Sequence, residues 1–208
     1  MAATTTASAS WGSPPSLSDF FFSAPVGRFR LKVDSTDATN AFRTEGSPGG
    51  APLVLYRSEG MSGRVVSLHV RTEKHGQPTP VKEVVGRIGG GLEGDVHAHR
   101  SSRAVLVVDR ATLDALRLAP GDLREEITIE GLPDVTNLPV DSELRIGGVT
   151  LRVNGPCEPC THIGELLGVP DREEFRQSLL GRRGALCTVS AIAGPIRVGD
   201  AVEVLVRA

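Results

Sequence analysis

The sequence predicts a mainly β protein with a few short helices, and three observations carry that prediction. Glycine and proline are plentiful, at 24 and 14 residues, while aromatic side chains make up only 4% of the chain. That balance favours short strands and turns over long packed helices. Apolar and polar residues alternate at Ile127-Thr128-Ile129, as in a half-buried strand. Residues 142–154 read as a hairpin whose turn, Gly147-Gly148, suits positive φ at both positions. Pairing about that turn sets Ile146 opposite Val149 and Leu144 opposite Leu151 on one face, with Arg145, Thr150 and Arg152 on the other.

Residues 1–60 read as a poorly ordered N-terminal extension or a mis-assigned start. Ala, Ser, Thr, Pro and Gly dominate there, and Ser47-Pro48-Gly49-Gly50 interrupts a stretch with no sustained periodicity. Its first 33 residues hold a single acid, Asp19, followed by Arg28, Arg30 and Lys32, a balance shared with organelle transit peptides. Met61-Ser62-Gly63-Arg64 offers an alternative start, which places the folded domain at residues 61–208. Within it Val65 to Val70 is the first strand, and the apolar run Ala104 to Val108 is a strand buried on both faces. Asp109 caps a helix carrying Leu113 and Leu116, and Ala119-Pro120-Gly121 ends it. Past the hairpin, Thr161 to Leu167 and Asp171 to Leu180 are helical, the second with Phe175 and Leu179 at i, i+4 spacing. Ala185 to Ala191 and Ile196 to Val206 are strands, with a turn at Val198-Gly199-Asp200.

Composition narrows the function. A net charge of −2 gives no case for attraction to nucleic acid or to a membrane surface, and no apolar run is long enough to span a bilayer. Three cysteines without a secretory apolar segment argue for a reducing compartment, with the cytoplasm as the default and organelle targeting by residues 1–60 as the alternative.

Two clusters can carry chemistry. Asn154-Gly155-Pro156-Cys157-Glu158-Pro159-Cys160 sets two thiols on a loop stiffened by two prolines, which suits presentation of the thiols over burial. The Cys-x-x-Cys spacing alone admits half of a zinc site, a dithiol redox pair, a sulfur-carrying nucleophile or a buried turn. Zinc would draw on Cys157, Cys160, His162 and Cys187, although Cys187 reads as a small buried hydrophobe. The second cluster is Gly89-Gly90-Gly91-Leu92-Glu93-Gly94-Asp95-Val96-His97-Ala98-His99-Arg100. Its glycines allow close approach to a ligand with exposed amides; its bland alternative is a solvated surface loop. Gly89, Gly91 and Gly94 spell G-x-G-x-x-G without the strand and long helix of a dinucleotide site. His99 and His162 read as surface residues, and one of Glu125 and Glu126 packs on Arg124 or caps the loop, with no catalytic role assigned to either.

Four segments in order make the pattern specific: Gly91-Leu92-Glu93-Gly94-Asp95-Val96-His97-Ala98, Gly121 to Gly131, Gly155-Pro156-Cys157-Glu158-Pro159-Cys160 and Ile196-Arg197-Val198-Gly199-Asp200. Over roughly residues 64–206 the chain resembles the MOSC domain family, named after the carboxyl-terminal domain of molybdenum cofactor sulfurase. The resemblance implies a MOSC-type β-barrel that binds molybdenum cofactor. It also implies a loop cysteine that coordinates molybdenum or carries persulfide sulfur, for molybdenum-dependent reduction or cofactor sulfuration. By position Cys160 is that cysteine and metal ligand, with Cys157 auxiliary. Gly91, Gly94, Asp95 and His97 match the family motif as cofactor-binding residues, and Arg124, Arg182 and Arg183 are candidates for the pterin phosphate. For Arg182 and Arg183 a solvated loop is the alternative. The implied partners are the pterin cofactor and a cysteine desulfurase or an electron-donor protein. Pyridoxal phosphate is not expected, because nothing here matches the large desulfurase region of the sulfurase, and the chain reads as a small free-standing member. The competing readings are a thiol or persulfide-exchange module without pterin, and a structural zinc-binding module.

Overall fold

Alternation of inward apolar and outward polar residues closes the sheet on itself. The computed structural model describes residues 41–44, 53–132 and 134–207. Among them the strands are β1 (Ala41–Thr44), β2 (Leu53–Val70), β3 (Thr79–Val81), β4 (Glu83–Val84), β5 (Val105–Asp109), β6 (Ile127–Glu130), β7 (Glu143–Ile146), β8 (Val149–Pro156), β9 (Ala185–Ile192), β10 (Ile196–Arg197) and β11 (Ala201–Arg207). Three short helices join them: α1 (Arg110–Ala115), α2 (Thr161–Leu166) and α3 (Arg172–Ser178). Strands pair in the order β2, β11, β7, β8, β9, β5, β6 and back to β2, a seven-stranded barrel in which only β5 and β6 run parallel. β1 and β3 add to β2 outside the ring, and β4 pairs with β10 separately. The expected mainly β, barrel-type fold is the one observed.

The barrel is filled by one row from each strand, including Ile127 and Ile129, Leu144 and Ile146, Leu151 and Val153, Cys187 and Val189, and Val202 and Val204. Strand β2 contributes Val65 and Leu68, which differ by an odd number of positions. A bulge between Val65 and Ser67 restores the register so that both face inward. Strand β5 is buried on both sides, as its continuous apolar run predicts. Val105 and Val107 enter the barrel, while Leu106 and Val108 join Leu113 of α1, Leu123, Cys157, Ile163 of α2 and Leu179 in a second core on the outer wall. Phe175 of α3 packs against this outer core. The helices therefore roof one side of the barrel, and the cysteine segment runs beneath that roof.

The hairpin pairs as expected, Ile146 with Val149 and Leu144 with Leu151, but its glycines serve different ends. Gly147 takes φ +53, whereas Gly148 has no left-handed φ. A side chain at Gly148 would instead strike the Gly194 backbone, because the Gly148 amide and carbonyl hold residues 193–195 against the turn. Asp109 caps α1 through Ala111 as expected, yet the helix stops at Ala115, before Ala119-Pro120-Gly121. Arg117 takes φ +56 and Leu118 N–H returns to the Leu113 carbonyl, a left-handed termination no proline is needed for. The last apolar stretch is two strands, β10 and β11, divided at the expected turn around Gly199, and β1, β3 and β4 were not anticipated. Strand β2 begins at Leu53, upstream of the expected domain start at Met61. The other readings of residues 1–60, including targeting and the Ser47-Pro48-Gly49-Gly50 break, fall on residues 1–40 and 45–52, which lie outside the described residues.

Close approach at Gly148 makes a quantitative expectation. Gly148→Ala should lower stability by about 1–3 kcal/mol, the usual range for overpacking. Gly89→Ala, with φ +73 and open space around it, should cost only the backbone strain, about 1–2 kcal/mol. Urea midpoints of the two variants check the ordering.

Candidate functional site

Arg71 follows the last residue of β2 and is buried, with a side-chain exposure of 7%. Its Nη2 lies 2.7 Å from His97 Nδ1 and 3.1 Å from Glu126 Oε1, and its backbone N–H donates to Asp95 Oδ2 at 2.8 Å. Asp95 Oδ1 accepts the His97 backbone N–H at 2.7 Å, and Glu126 Oε2 accepts the Leu106 N–H at 2.7 Å. The glycine loop, the end of β2, the start of β6 and strand β5 are thus tied through one buried cation. Asp95, His97 and Glu126 hold ligand atoms within 4.8 Å of one another, a metal-like grouping, but the Arg71 guanidinium already supplies the positive charge there.

The glycines of the neighbouring loop are built for packing more than for display. The Gly89, Gly90 and Gly91 amides donate to Val189, Arg87 and Ala98 carbonyls, and those of Asp95, Val96 and Ala98 are likewise engaged. A Cβ at Gly90 would meet the Ala98 carbonyl and one at Gly91 the Ala104 carbonyl, so close backbone packing explains both residues. These amides are therefore not displayed to a ligand, contrary to the expected row of exposed donors. Gly94, with φ +82 and open space, turns the chain so that Asp95 points inward.

The extended β8 continues its alternation through the cysteine segment: Gly155 buried, Pro156 exposed, Cys157 buried, Glu158 exposed, Pro159 buried, Cys160 exposed. Three positions apart on an extended chain means opposite faces. Cys157 therefore packs in the outer core with Leu106 and Ile163, while Cys160 stands in solvent at the start of α2. Presentation was expected for both thiols; only Cys160 is presented, because residues 157–160 form no turn. That geometry does not suit a dithiol pair or two adjacent zinc ligands. Burial pushes the Cys157 thiol pKa up, with Arg183 and Arg103 drawing it back and Cys160 and Glu126 adding to the rise. Cys187 lies inside the barrel, where burial pushes its thiol up to about 12.

Arg183 is buried; its Nη1 donates to the Glu158 carbonyl at 3.0 Å, and its Nε has no hydrogen-bond partner. Arg182 beside it is exposed. Arg124, at φ +63, donates to the Lys74 carbonyl, and its pKa is lowered by burial and then by the Arg71 charge, which sets it near the Arg71 cluster. His99 and His162 are both exposed, the latter 3.2 Å from Glu165. Glu125 caps the Gly121 turn, as expected of one member of the acid pair; burial raises its pKa, and its Oε1 accepts from Gly121 N–H and Thr128 Oγ1.

The model of the MOSC domain family matches residues 85–203, more than half of the chain. The chain belongs to the MOSC domain family. A search of curated proteins found no match. Among solved structures, the YUAD protein from Bacillus subtilis is similar, at 23% identity and TM-score 0.64, covering 73% of this chain and 98% of that one. YiiM from Escherichia coli, at 23% identity and TM-score 0.51, covers 70% of this chain and 71% of its own. YiiM from Geobacillus stearothermophilus, at 18% identity and TM-score 0.53, covers 68% and 74%. These likenesses support the MOSC fold.

Within this MOSC domain, sequence reasoning missed Arg71 and Arg103, and it did not foresee that Glu126 pairs with Arg71. Arg71 and Glu126 flank strands, where a charge ordinarily faces water, so no periodic signal marks them as buried. Arg103 carries φ +54, a backbone state invisible in composition. Two outcomes follow. Glu126→Ala leaves the buried Arg71 charge without its carboxylate and should destabilise the domain by about 3–5 kcal/mol in denaturant titration. Alkylation of the native protein at pH 8, followed by peptide mass mapping, should modify Cys160 and spare Cys157 and Cys187, whose raised thiol pKa values and burial disfavour the thiolate. Unfolding should make all three reactive.

Proposed function

We propose that this MOSC protein binds molybdenum cofactor, with Cys160 as the soft donor to the metal. The observation that carries the reading is the separation of the two loop thiols: Cys160 is exposed while Cys157 is locked in the outer core. A thiolate suits a soft metal centre, and an exposed one can be reached by a bulky ligand or partner. The residues around it fit an anionic pterin. Arg183 holds the Glu158 carbonyl and keeps an unpartnered, buried Nε, a donor left for an acceptor the protein itself does not supply. Arg103, whose charge acts on Cys157, adds positive charge near this segment, and exposed Arg182 adjoins Arg183 in the chain. Asp95 serves this site through position, by fixing the loop that carries His97. When bound, the cofactor supplies two-electron chemistry at the metal, which the chain's own residues do not provide.

Exposure of Cys160 also supports a second use of the same thiol, acceptance of sulfane sulfur from a cysteine desulfurase for cofactor sulfuration. Metal binding and sulfur transfer are separable by experiment. Protein purified from a host that makes the cofactor should contain molybdenum and release a fluorescent oxidised pterin, and Cys160→Ala should lose the metal while Cys157→Ala keeps it. Stoichiometric molybdenum in Cys160→Ala would remove Cys160 from the metal. Incubation of the metal-free protein with a cysteine desulfurase and cysteine should add the mass of one sulfur atom to Cys160 if the sulfur-carrying use holds.

A further inference from the structure

The Arg71 cluster has the composition of a metal site and the geometry of something else. A guanidinium carries N–H donors and no acceptor, so the 2.7 Å contact between Arg71 Nη2 and His97 Nδ1 requires the ring nitrogen to accept. The ring proton then sits on Nε2. Without Arg71 the surroundings would favour the opposite arrangement, since Asp95 Oδ1 and Glu126 Oε1 lie 3.6 and 3.9 Å from Nδ1 and would attract a proton to it. Those carboxylates are otherwise engaged: Asp95 by the Arg71 and His97 backbone amides, Glu126 by Arg71 and the Leu106 amide. His97 is also the member of the cluster with solvent access, 17% against 0% for Asp95 and 4% for Glu126.

We propose that Arg71 is a positioning residue that fixes His97 as its Nε2–H tautomer, so that the cluster offers a ligand a hydrogen-bond donor and not a cation site. The ligand atom it takes is an acceptor, an oxygen or a ring nitrogen with a free lone pair. A divalent cation bound by Asp95, His97 and Glu126 would have to displace a buried guanidinium held by two side chains. The assignment concerns the free protein and stands apart from the molybdenum reading.

Long-range proton–nitrogen NMR of the imidazole rings tests it, with the His97→Gln spectrum assigning the His97 signals. In the wild type at neutral pH, Nδ1 should resonate as a pyridine-type nitrogen and Nε2 as a pyrrole-type one. Arg71→Met should move the proton, giving Nδ1 pyrrole character. A wild-type ring protonated at Nδ1, or a folded Arg71→Met protein with the wild-type pattern, would overturn the proposal. Should Arg71→Met not fold, the scalar coupling across the Arg71 Nη2 to His97 Nδ1 hydrogen bond in the wild type decides: its presence supports the lock and its absence sinks it. In Cys160→Ala protein, where the exposed thiol does not compete, added zinc should leave His97 Nδ1 unshifted; stoichiometric zinc bound at that nitrogen would also overturn it.

Discussion

A single buried guanidinium ties one side of this barrel together. Arg71 extends from the end of β2 and meets a carboxylate from the start of β6, an imidazole from the glycine loop and, through its own amide, the carboxylate of Asp95. Burying that charge costs several kcal/mol unless every donor and acceptor around it is satisfied. Glu126 and His97 supply partners for Nη2 from separate parts of the chain, so the contacts define one arrangement more than they add net stability. The glycine loop, anchored in the core by Leu92, is thereby also fixed at Asp95 and His97.

The two cores divide the labour. The inner core closes the barrel with one apolar row from each strand, and β5, apolar on both faces, passes its outer row to the helical roof. Because Glu126 bonds both the amide and the carbonyl side of Leu106, the polar cluster is attached to the same strand that Cys157 packs against. The cysteine segment therefore inherits its orientation from the sheet. Strand alternation carried past Pro156 buries one thiol and exposes the other, and proline at 156 and 159 keeps the chain from turning back on itself.

Much of the fold was legible in the sequence. The hairpin register was fixed by the period of two and the glycine turn, the double burial of β5 by an unbroken apolar run, and the start of α1 by an aspartate that competes for amides. Other features were not legible because their causes are distant in the chain. Gly148 looked like a residue chosen for its φ and is required by the approach of Gly194. Gly90 and Gly91 looked like a ligand cradle and are required by the carbonyls of Ala98 and Ala104. The early end of α1 depends on a left-handed arginine, for which side-chain chemistry gives no sign.

What the sequence by itself determined is the strand-rich architecture, the family and the short motifs in which Cys160, Asp95 and His97 sit, since periodicity and local spacing are properties of neighbours along the chain. Only the tertiary structure decided which thiol faces water, that Arg71 and Glu126 meet in a buried pair, and which nitrogen of His97 faces the Arg71 guanidinium. These depend on groups tens of residues apart meeting in a low-dielectric space, where an unmatched charge or donor is costly. No local pattern records such a meeting.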